Sequence, residues 1–318
     1  MKGRVHVSIA EAGEFGLIAR VVARLETGPT TLLGPGDDSA IVAAPDGRIV
    51  ASTDVLVEGR HFRRDWSGPA DVGHRAAAAN LADIAAMGAA PTALLVALCA
   101  PPDMDIAWAE DLASGLSAEA SLVGASVVGG DMSSSPTLTI AVTALGDLAG
   151  QAPVVRTGAQ PGDVIALAGR IGYAAAGYTV LSRGFRTPKA LVEAYRRPSV
   201  PYAAGPAAAR AGATSMIDIS DGLLQDLGHI AKASVVGLDI ESGAFEVSDQ
   251  MRDAATALGV DPLQWLLAGG DDHALAATFP AGAELPDGWR PIGRVHEGTG
   301  ITVDRKPWSG PLGWDHFR

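Results

Sequence analysis

Acidic residues flanked by glycine or serine are the feature of this sequence with the most chemical meaning. Residues 36–38 (Gly-Asp-Asp) and 52–54 (Ser-Thr-Asp) are predicted to lie where a strand breaks into a turn. Six acids form the candidate set: Asp38, Asp54, Asp83, Asp131, Asp218 and Asp221. No zinc-type cluster of cysteine and histidine accompanies them, and carboxylates alone suit hard cations such as Mg²⁺, which usually share their coordination with substrate phosphates. The pattern predicts a magnesium-dependent enzyme that acts on phosphates.

Each of these acids also has a structural explanation. Residues 36–38 and 52–54 could form simple turns, because Gly and Asp tolerate the backbone angles of tight turns. Asp221, together with Ser220, could cap the helix that follows it. Asp83 differs, because it falls inside an alanine-rich helix on a face expected to pack, where an unpaired carboxylate is expensive. The recurrence of all six acids, more than any one of them, favours the metal hypothesis.

Apolar periodicity predicts alternating strands and helices that would position these acids. Residues 49–57 predict a strand that is broken at the acidic triplet, and residues 126–131 predict a short strand that runs into a Gly-Gly turn. Residues 215–220 predict a strand that leads into a helix over 221–234. In the second half, residues 196–201 (RRPSVP) predict a polar connection between two helices. The acids would therefore lie mainly at strand ends.

One predicted helix carries an acid of its own. Residues 69–90 are rich in alanine, and they predict a helix that starts at Pro69 and ends at Gly88. Asn80, Asp83 and Met87 would share one face of this helix, because residues three and four apart are neighbours on a helix surface. The strand before it and this helix are therefore expected to hold part of the site.

The bulk composition fits a two-domain enzyme. With 318 residues, 47% of them hydrophobic, the chain exceeds what one core usually supports, so we expect domains at 1–150 and 151–318, divided in the Gly- and Pro-containing stretch 150–162. The lone Cys99 rules out an intrachain disulfide and is expected to be a buried small residue. No apolar segment approaches the ~18 residues of a membrane span, and the N-terminus lacks a signal-peptide core, so a cytoplasmic location without a membrane partner is expected.

Charge and missing motifs narrow the class of phosphate enzyme. The net charge is -12, with 24 Lys and Arg against 36 acids, which argues against nucleic acid as a partner. A nucleotide would have to be held through metal ions and backbone amides. The sequence lacks the GxxxxGK[ST] phosphate loop, the kinase motifs HRD and DFG, and the HExxH and GxSxG motifs. The glycine-rich segment 169–177 fits no dinucleotide fingerprint. Any ATP site would therefore lack a known lysine-bearing loop.

A set of segments occurs in the order and spacing found in thiamine-monophosphate kinases, and the sequence resembles that family over residues 13–317. The segments are GEFGLI, GPGDDSA, STD followed by EGRHF, NLADIAAMGA, VVGGD, RTGAQPGD, IDISDGLLQDLGHI, AGGDD and GWDHF. The acidic turns alone are shared more loosely with aminoimidazole ribonucleotide synthetase, selenophosphate synthetase and the hydrogenase-maturation protein that dehydrates carbamoyl groups. His61 and the final aromatic-Asp-His-Phe favour the thiamine branch, although a lone histidine is more typical of a structural role.

The resemblance implies a fold and an assembly. The protomer would be a two-domain α/β (α+β) protein of the aminoimidazole ribonucleotide synthetase-like fold, with a C-terminal α/β domain. Its N-terminal domain would bind ATP and magnesium, and the N-terminal sheets of two copies would form a barrel in a homodimer. ATP would bind in a cleft near the dimer interface.

Carried over position by position, the resemblance also implies groups of site residues. Magnesium positions are matched by Asp38, Ser52, Thr53, Asp54, Asp83, Asp131, Asp218 and Asp221. The nucleotide site is matched by Gly130, Asp131, Arg156 and Ser220, and the contacts to thiamine phosphate by His61, Asp271 and Trp314. The catalytic roles would fall to Asp54, Asp131 and Asp221. The family commonly has Glu in place of Asp271 and often Tyr in place of Trp314, which bears on pocket dimensions more than on substrate class.

The implied reaction is transfer of the γ-phosphoryl group of ATP to thiamine monophosphate, by direct in-line attack, giving ADP and thiamine diphosphate. A phosphate monoester has a second pKa near ~6, so no strong general base is required at pH 7. Carboxylates, ATP and acceptor together bring about twelve negative charges, so more than two magnesium ions are expected. Two alternatives stay open: a ribonucleotide-cyclising synthetase that releases orthophosphate, and a catalytically silent nucleotide-binding protein.

Overall fold

The computed structural model describes residues 7–35 and 39–314, without the side chains of Glu14 and Phe15. The chain divides into two compact units. The first consists of Met1–Ile84 and Pro91–Asp147, and the second of Ala85–Ala90 and Leu148–Arg318. The short segment Ala85–Ala90 therefore belongs with residues far along the chain; in it, the carbonyl of Met87 accepts a hydrogen bond from the Val154 N–H at 3.1 Å.

The first unit, within the described residues, combines helices with a four-stranded sheet and a short hairpin. Its elements are α1 (Ile9–Val22), β1 (Thr31–Leu33), β2 (Ile41–Val42), β3 (Val50–Val57), α2 (Pro69–Ala86, whose last residues enter the second unit), β4 (Ala90–Ala100, beginning in the second unit), α3 (Ile106–Ser121), β5 (Ser126–Ser134) and β6 (Thr139–Asp147). The sheet order is β3-β6-β4-β5, while β1 pairs with β2. β3 runs antiparallel to β6, and β4 runs parallel to β5. Both edges of this sheet carry predicted site residues.

Small side chains build the core around α2. Ala76, Ala77 and Ala78 are fully buried, as are Leu81 and Ile84 of the same helix. Alanine has the highest helix propensity and leaves room for neighbouring elements to approach closely. The predicted helix is confirmed, but it ends at Ala86, so Met87 lies beyond it and does not share its face with Asn80 and Asp83.

The sequence analysis predicted that a turn interrupts β3 and that a turn ends β5 at its Gly-Gly pair, and both predictions are wrong. β3 continues through residues 52–54, and each of its residues from Val50 to Val57 pairs with a residue of β6. β5 continues through its Gly-Gly pair to Ser134, with a register irregularity opposite Leu94 and Leu95. Turn-forming residues are tolerated here because both strands lie at sheet edges, where polar side chains are common and the backbone still makes its ladder bonds on one side.

The second unit is built on a larger mixed sheet. Its described elements are β7 (Val164–Ala168), α4 (Tyr173–Ser182), α5 (Lys189–Arg196), α6 (Ala204–Arg210), β8 (Ser215–Ile219), α7 (Leu223–Ser234), β9 (Gly237–Ile240), α8 (Asp249–Leu258), α9 (Pro262–Ala268), β10 (Ala274–Phe279), β11 (Trp289–His296), β12 (Gly300–Val303) and β13 (Lys306–Pro307). The order is β13-β12-β9-β11-β7-β10-β8, antiparallel except between β12 and β9. β8 lies at one edge with every residue buried.

Three smaller findings complete the fold. α5 was not predicted, although Leu191 and Tyr195, four residues apart, form the buried side of this otherwise polar helix. Cys99 on β4 is a free thiol and is only partly buried, against the expectation of full burial. None of the helices in the described ranges has the length and apolar character needed to cross a lipid bilayer.

Candidate active site

In the first unit, a strand and a helix are joined through their polar side chains. The Ser52 hydroxyl on β3 donates to the Asp83 carboxylate on α2 at 2.6 Å. Asn80, one turn earlier on α2, accepts from the Asp54 backbone N–H at 3.0 Å and donates to the Ala76 carbonyl at 2.9 Å. Asn80 is fully buried, and its amide satisfies a donor on the free edge of β3. Asp83 is half-buried and hydrogen-bonded, so it is not the unpaired carboxylate that the sequence suggested.

Two predicted site residues on β3 have exposed side chains. Thr53 donates to the Val142 carbonyl at 2.9 Å and accepts from the Thr143 hydroxyl at 3.0 Å, so its hydroxyl proton is directed to β6. Asp54 is exposed while its backbone is held by Asn80. The strand is thus fixed from both sides, and the Asp54 carboxylate is presented to solvent from a fixed backbone.

The other edge strand carries Gly130 and Asp131, which are both exposed. A Cβ at position 130 would lie only 1.8 Å from the Val96 carbonyl oxygen of β4. Glycine is therefore required for the close approach of β5 to β4, independently of any ligand. Asp131 follows directly, opposite Ala97 in the parallel ladder.

His61 lies in the turn after β3. Its Nδ1 accepts a hydrogen bond from the Val57 N–H at 2.9 Å, so a neutral ring carries its proton on Nε2. This bond gives His61 the structural role that the sequence left open. A cavity of about 460 Å³ follows this turn, lined by Glu58, Gly59, Arg63, Arg64 and Asp65. These lining residues are not the predicted site residues.

In the second unit, the loop between β8 and α7 is held by an acid that the sequence analysis missed. One carboxylate oxygen of Asp226, in the first turn of α7, accepts the backbone N–H groups of Ser220, Asp221 and Gly222, each at 3.0 Å. α7 begins after Gly222 without a side-chain cap. The residue at the N-cap is Gly222 rather than Ser220 or Asp221, and Asp226 instead accepts the N–H groups of the loop that precedes the helix. The only signal in the sequence was an Asp within the first helical turn.

The environment of Asp226 changes its acidity. Burial raises the pKa of Asp226 to about 7, and the charges of Asp218 and Asp221 add to this rise, whereas the N–H groups of Gly222 and Asp221 oppose it. Asp218, at the end of β8, is itself buried, and its carboxylate lies 3.3 Å from Nδ1 of the buried His273. Asp218 and Asp221 therefore lie close enough to Asp226 to affect its pKa, and Asp218 is also paired with His273.

The segment after α9 is tied to the same loop. The Asp271 N–H donates to the Ser220 carbonyl at 2.8 Å, and the His273 N–H donates to the Ile219 carbonyl at 3.0 Å. Asp271 and His273 both have positive φ, at 67° and 52°, which is uncommon for residues other than glycine. Asp271 is half-buried. The backbone between β8 and β10 is therefore constrained where Asp271 is predicted to contact substrate.

Asp272, between these two residues, points into the protein. Its Oδ1 accepts the Ala174 N–H at the start of α4 at 2.9 Å, and its Oδ2 has no hydrogen-bond partner among the described residues. Burial raises the pKa of Asp272 to about 7, opposed by the N–H of Ala174. Asp272 thus supplies the helix cap that Gly172, without a side chain, cannot provide.

The remaining predicted residues of this unit differ in placement. Trp314 lies beside Asp221, since the Trp314 N–H donates to the Asp221 carbonyl at 3.0 Å, and its side chain is 48% exposed. The Arg156 side chain is exposed, and its carbonyl accepts from the Ser234 hydroxyl at 3.1 Å. The contacts thus bring Ser220, Asp221, Asp271 and Trp314 together, but connect Arg156 only to the far end of α7.

The predicted ligands have the oxygen donors that a hard cation requires, but the described part of the structure does not group them into one metal-binding site. Their donors are carboxylate and hydroxyl oxygens, which suit Mg²⁺. Within residues 7–35 and 39–314, however, no three His, Cys, Asp or Glu side chains come together as a metal-binding group. Asp38 lies outside the described residues. The other predicted ligands divide between the units, with Ser52, Thr53, Asp54, Asp83 and Asp131 in the first and Asp218 and Asp221 in the second.

Both units of the chain match families of known proteins. Residues 36–148 match the family model of the AIR synthase related protein N-terminal domain, and residues 160–305 match that of the C-terminal domain. Among solved structures, the thiamine-monophosphate kinase of Stenotrophomonas maltophilia is 34% identical with a TM-score of 0.80, over 96% of this chain and 99% of its own. A structure described as AaThiL complexed with AMPPCP and TMP is 32% identical with a TM-score of 0.79, over 98% and 99%. The predicted two-domain α/β fold is confirmed.

The sequence comparison identifies the branch within this superfamily. The thiamine-monophosphate kinase of Mycobacterium tuberculosis is 48% identical over 312 residues, covering 98% of this chain and 93% of the relative. That of Corynebacterium glutamicum is 39% identical over 98% and 95%. Both figures lie well above the identity seen with a structure of the hydrogenase-maturation protein HypE, which is 20% and shows the fold alone. The chain therefore belongs to the thiamine-monophosphate kinase family.

Proposed function

We propose that this protein transfers the γ-phosphoryl group of ATP to thiamine monophosphate and releases ADP and thiamine diphosphate. The observation that carries the proposal is the likeness, over 98% of the chain, to the structure of AaThiL with AMPPCP and TMP. AMPPCP is an ATP analogue, so that relative holds an ATP analogue and TMP in one complex. The retained set of acids in this chain supports the same chemistry.

The proposed phosphoryl transfer does not require a strong general base. The acceptor phosphate has a second pKa near ~6 and is largely dianionic at pH 7, so it can attack the γ-phosphorus directly and in line. The main obstacle is repulsion between anions, and phosphoryl transfer is catalysed chiefly by positioning and charge neutralisation. Bound Mg²⁺ would supply that neutralisation. Residues proposed to hold it are Asp38, Ser52, Thr53, Asp54, Asp83, Asp131, Asp218 and Asp221.

The proposed contact residues fall into two groups, one for each substrate. Gly130, Asp131, Arg156 and Ser220 are proposed to contact the nucleotide, and His61, Asp271 and Trp314 the thiamine phosphate. An indole can stack on the cationic thiazolium ring or on the pyrimidine of thiamine, and half of the Trp314 surface is open for such a contact. Asp271 retains the negative charge of the Glu common in the family, with a shorter reach.

We also propose a cytoplasmic homodimer joined through the N-terminal sheets. Apolar side chains are exposed on strands of that sheet, with Val55 of β3 at 47% and Leu95 of β4 at 38%. A contact between copies would bury such residues. Sedimentation at several protein concentrations would test this, and a monomer at micromolar concentration would reject it.

The decisive experiment follows both substrates at once. Purified protein is incubated with Mg-ATP and thiamine monophosphate, and nucleotides and thiamine species are separated by chromatography. ADP and thiamine diphosphate in equal amounts are expected. ADP with orthophosphate and unchanged thiamine phosphate would instead indicate a cyclising synthetase, and ATP binding without turnover would indicate a silent nucleotide-binding protein.

A further inference from the structure

We propose that Gln225 is a positioning residue for the acceptor: it clamps the C-terminal segment, residues 312–314, to Asp221 and thereby holds Trp314 in place. The inference rests on the proposed function, because Trp314 is assigned there to thiamine phosphate. Gln225 lies in the first turn of α7, and it was not singled out by the sequence.

Four hydrogen bonds define the clamp. The Gln225 backbone N–H donates to the Leu312 carbonyl at 3.1 Å. The Gln225 side-chain amide donates to the Asp221 carboxylate at 3.0 Å and to the Trp314 carbonyl at 2.6 Å. The Trp314 N–H donates to the Asp221 carbonyl at 3.0 Å. One amide group thus connects a proposed metal-binding acid with the backbone of a proposed substrate-contacting residue.

The packing between these bonds is tight. A Cβ at position 313 would lie 2.7 Å from the Gln225 Cβ and 2.8 Å from the Asp221 carbonyl oxygen. Gly313 therefore allows the segment to lie directly on the start of α7. The backbone of Trp314 is fixed on both sides, yet 48% of the residue remains exposed. A fixed backbone that carries an open ring is what a stacking surface for a planar ligand requires.

The loop under the clamp is held from the other side as well. Asp226, next to Gln225, binds the N–H groups of Ser220, Asp221 and Gly222 from within the protein. Gln225 acts on the outer side, through the Asp221 carboxylate. Consecutive residues of one helical turn thus fix the loop from inside and the C-terminal segment from outside. Loss of the Gln225 amide should free the segment without unfolding the loop.

Kinetics can separate this role from a purely structural one. In Gln225→Ala, the KM for thiamine monophosphate should rise about tenfold, because the Trp314 backbone loses its hydrogen bond to the Gln225 amide, while the KM for ATP and the melting temperature stay near wild type. Gln225→Glu keeps the size but replaces the donor with a carboxylate that faces the Asp221 carboxylate and the Trp314 carbonyl, so it should raise the acceptor KM at least as much as Gln225→Ala. Gln250→Ala, at an exposed position of α8, is the matched control and should change none of these values.

Hydrogen exchange of the free protein supplies a readout that does not depend on turnover. Amides of residues 312–314 should exchange faster in both Gln225 variants than in wild type and Gln250→Ala. Wild-type acceptor KM in Gln225→Glu, or unchanged exchange in both variants, would overturn the inference, as would equal rises in both KM values that follow a loss of stability. If the wild type itself fails to phosphorylate thiamine monophosphate, the proposed function fails, and the positioning role falls with it whatever the exchange shows.

Discussion

Replacement of Asp272 by Asn should change the pH dependence of stability in a defined direction. The Asp272 carboxyl is fully buried beside the start of α4, with one oxygen bonded to Ala174 N–H and the other without a partner among the described residues. Burial raises its pKa from 3.8 to about 7. Between these values the folded protein keeps a proton that the unfolded chain has released. Stability therefore falls as the pH rises through this window.

The size of the effect follows from the shift. One pKa unit corresponds to about 1.4 kcal/mol, so a rise of about three units costs the ionised folded protein about 4 kcal/mol above pH 7 relative to pH 4. Asparagine cannot ionise and carries no such penalty. Relative to wild type, Asp272→Asn should therefore gain about 4 kcal/mol in free energy of unfolding between pH 4 and pH 8. A constant offset from the buried amide would not alter this slope.

Urea unfolding at closely spaced pH values, in the presence of a chelator, measures the difference. Tryptophan fluorescence is a suitable signal, because Trp265 and Trp289 are buried in the second unit. Asp226 contributes a pH dependence of the same sign to both proteins, so it cancels in the comparison. Asp253→Asn, at an exposed position of α8, controls for loss of a carboxylate. Parallel curves for wild type and Asp272→Asn would refute the reasoning.

Three further outcomes are expected. Asp131→Asn and Asp54→Asn should each abolish ADP formation while the circular dichroism stays native, and near-wild-type turnover at saturating magnesium would reject these assignments. Gly130→Ala should lower the free energy of unfolding by roughly 1–3 kcal/mol, because its Cβ would lie 1.8 Å from the Val96 carbonyl oxygen; Gly129→Ala, whose Cβ would meet only the Leu95 side chain at 3.4 Å, should be tolerated, and equal melting temperatures would contradict this. Removal of divalent ions with a chelator should stop turnover and added Mg²⁺ should restore it, so activity that survives chelation would exclude the metal-dependent reaction.

The sequence predicted most accurately the helices and strands that depend on the local periodicity of apolar residues. The run of alanines around Leu81 and Ile84 predicts α2, and the apolar residues before Asp218 predict β8. It predicted least accurately the segments in which strand pairing overrides the local preference of the residues for a turn. Residues 52–54 and the Gly-Gly pair of β5 favour turns locally, but each is held in a strand by a neighbour that is distant in sequence.

The site residues that were missed act through the fold. Asp226 and Gln225 matter because the β8–α7 loop and the C-terminal segment return to the first turn of α7. Asp272 caps α4 through the N–H of Ala174, 98 residues earlier in the chain. Asn80 was placed on the correct helix face, but its bond to the Asp54 backbone depends on where β3 runs. Such roles follow from tertiary contacts, which one sequence without structure does not specify.

The division of the chain has a consequence for how its halves could be separated or exchanged. Because Ala85–Ala90 groups with the second unit, the polypeptide changes units after Ile84, after Ala90 and after Asp147. A gene fragment that starts at residue 148 would encode the second unit without the segment whose Met87 carbonyl pairs with Val154. A fragment that ends at residue 147 would retain that segment without its partner. Recombination that swaps either unit as a cassette would need three junctions, which favours inheritance of the two units together.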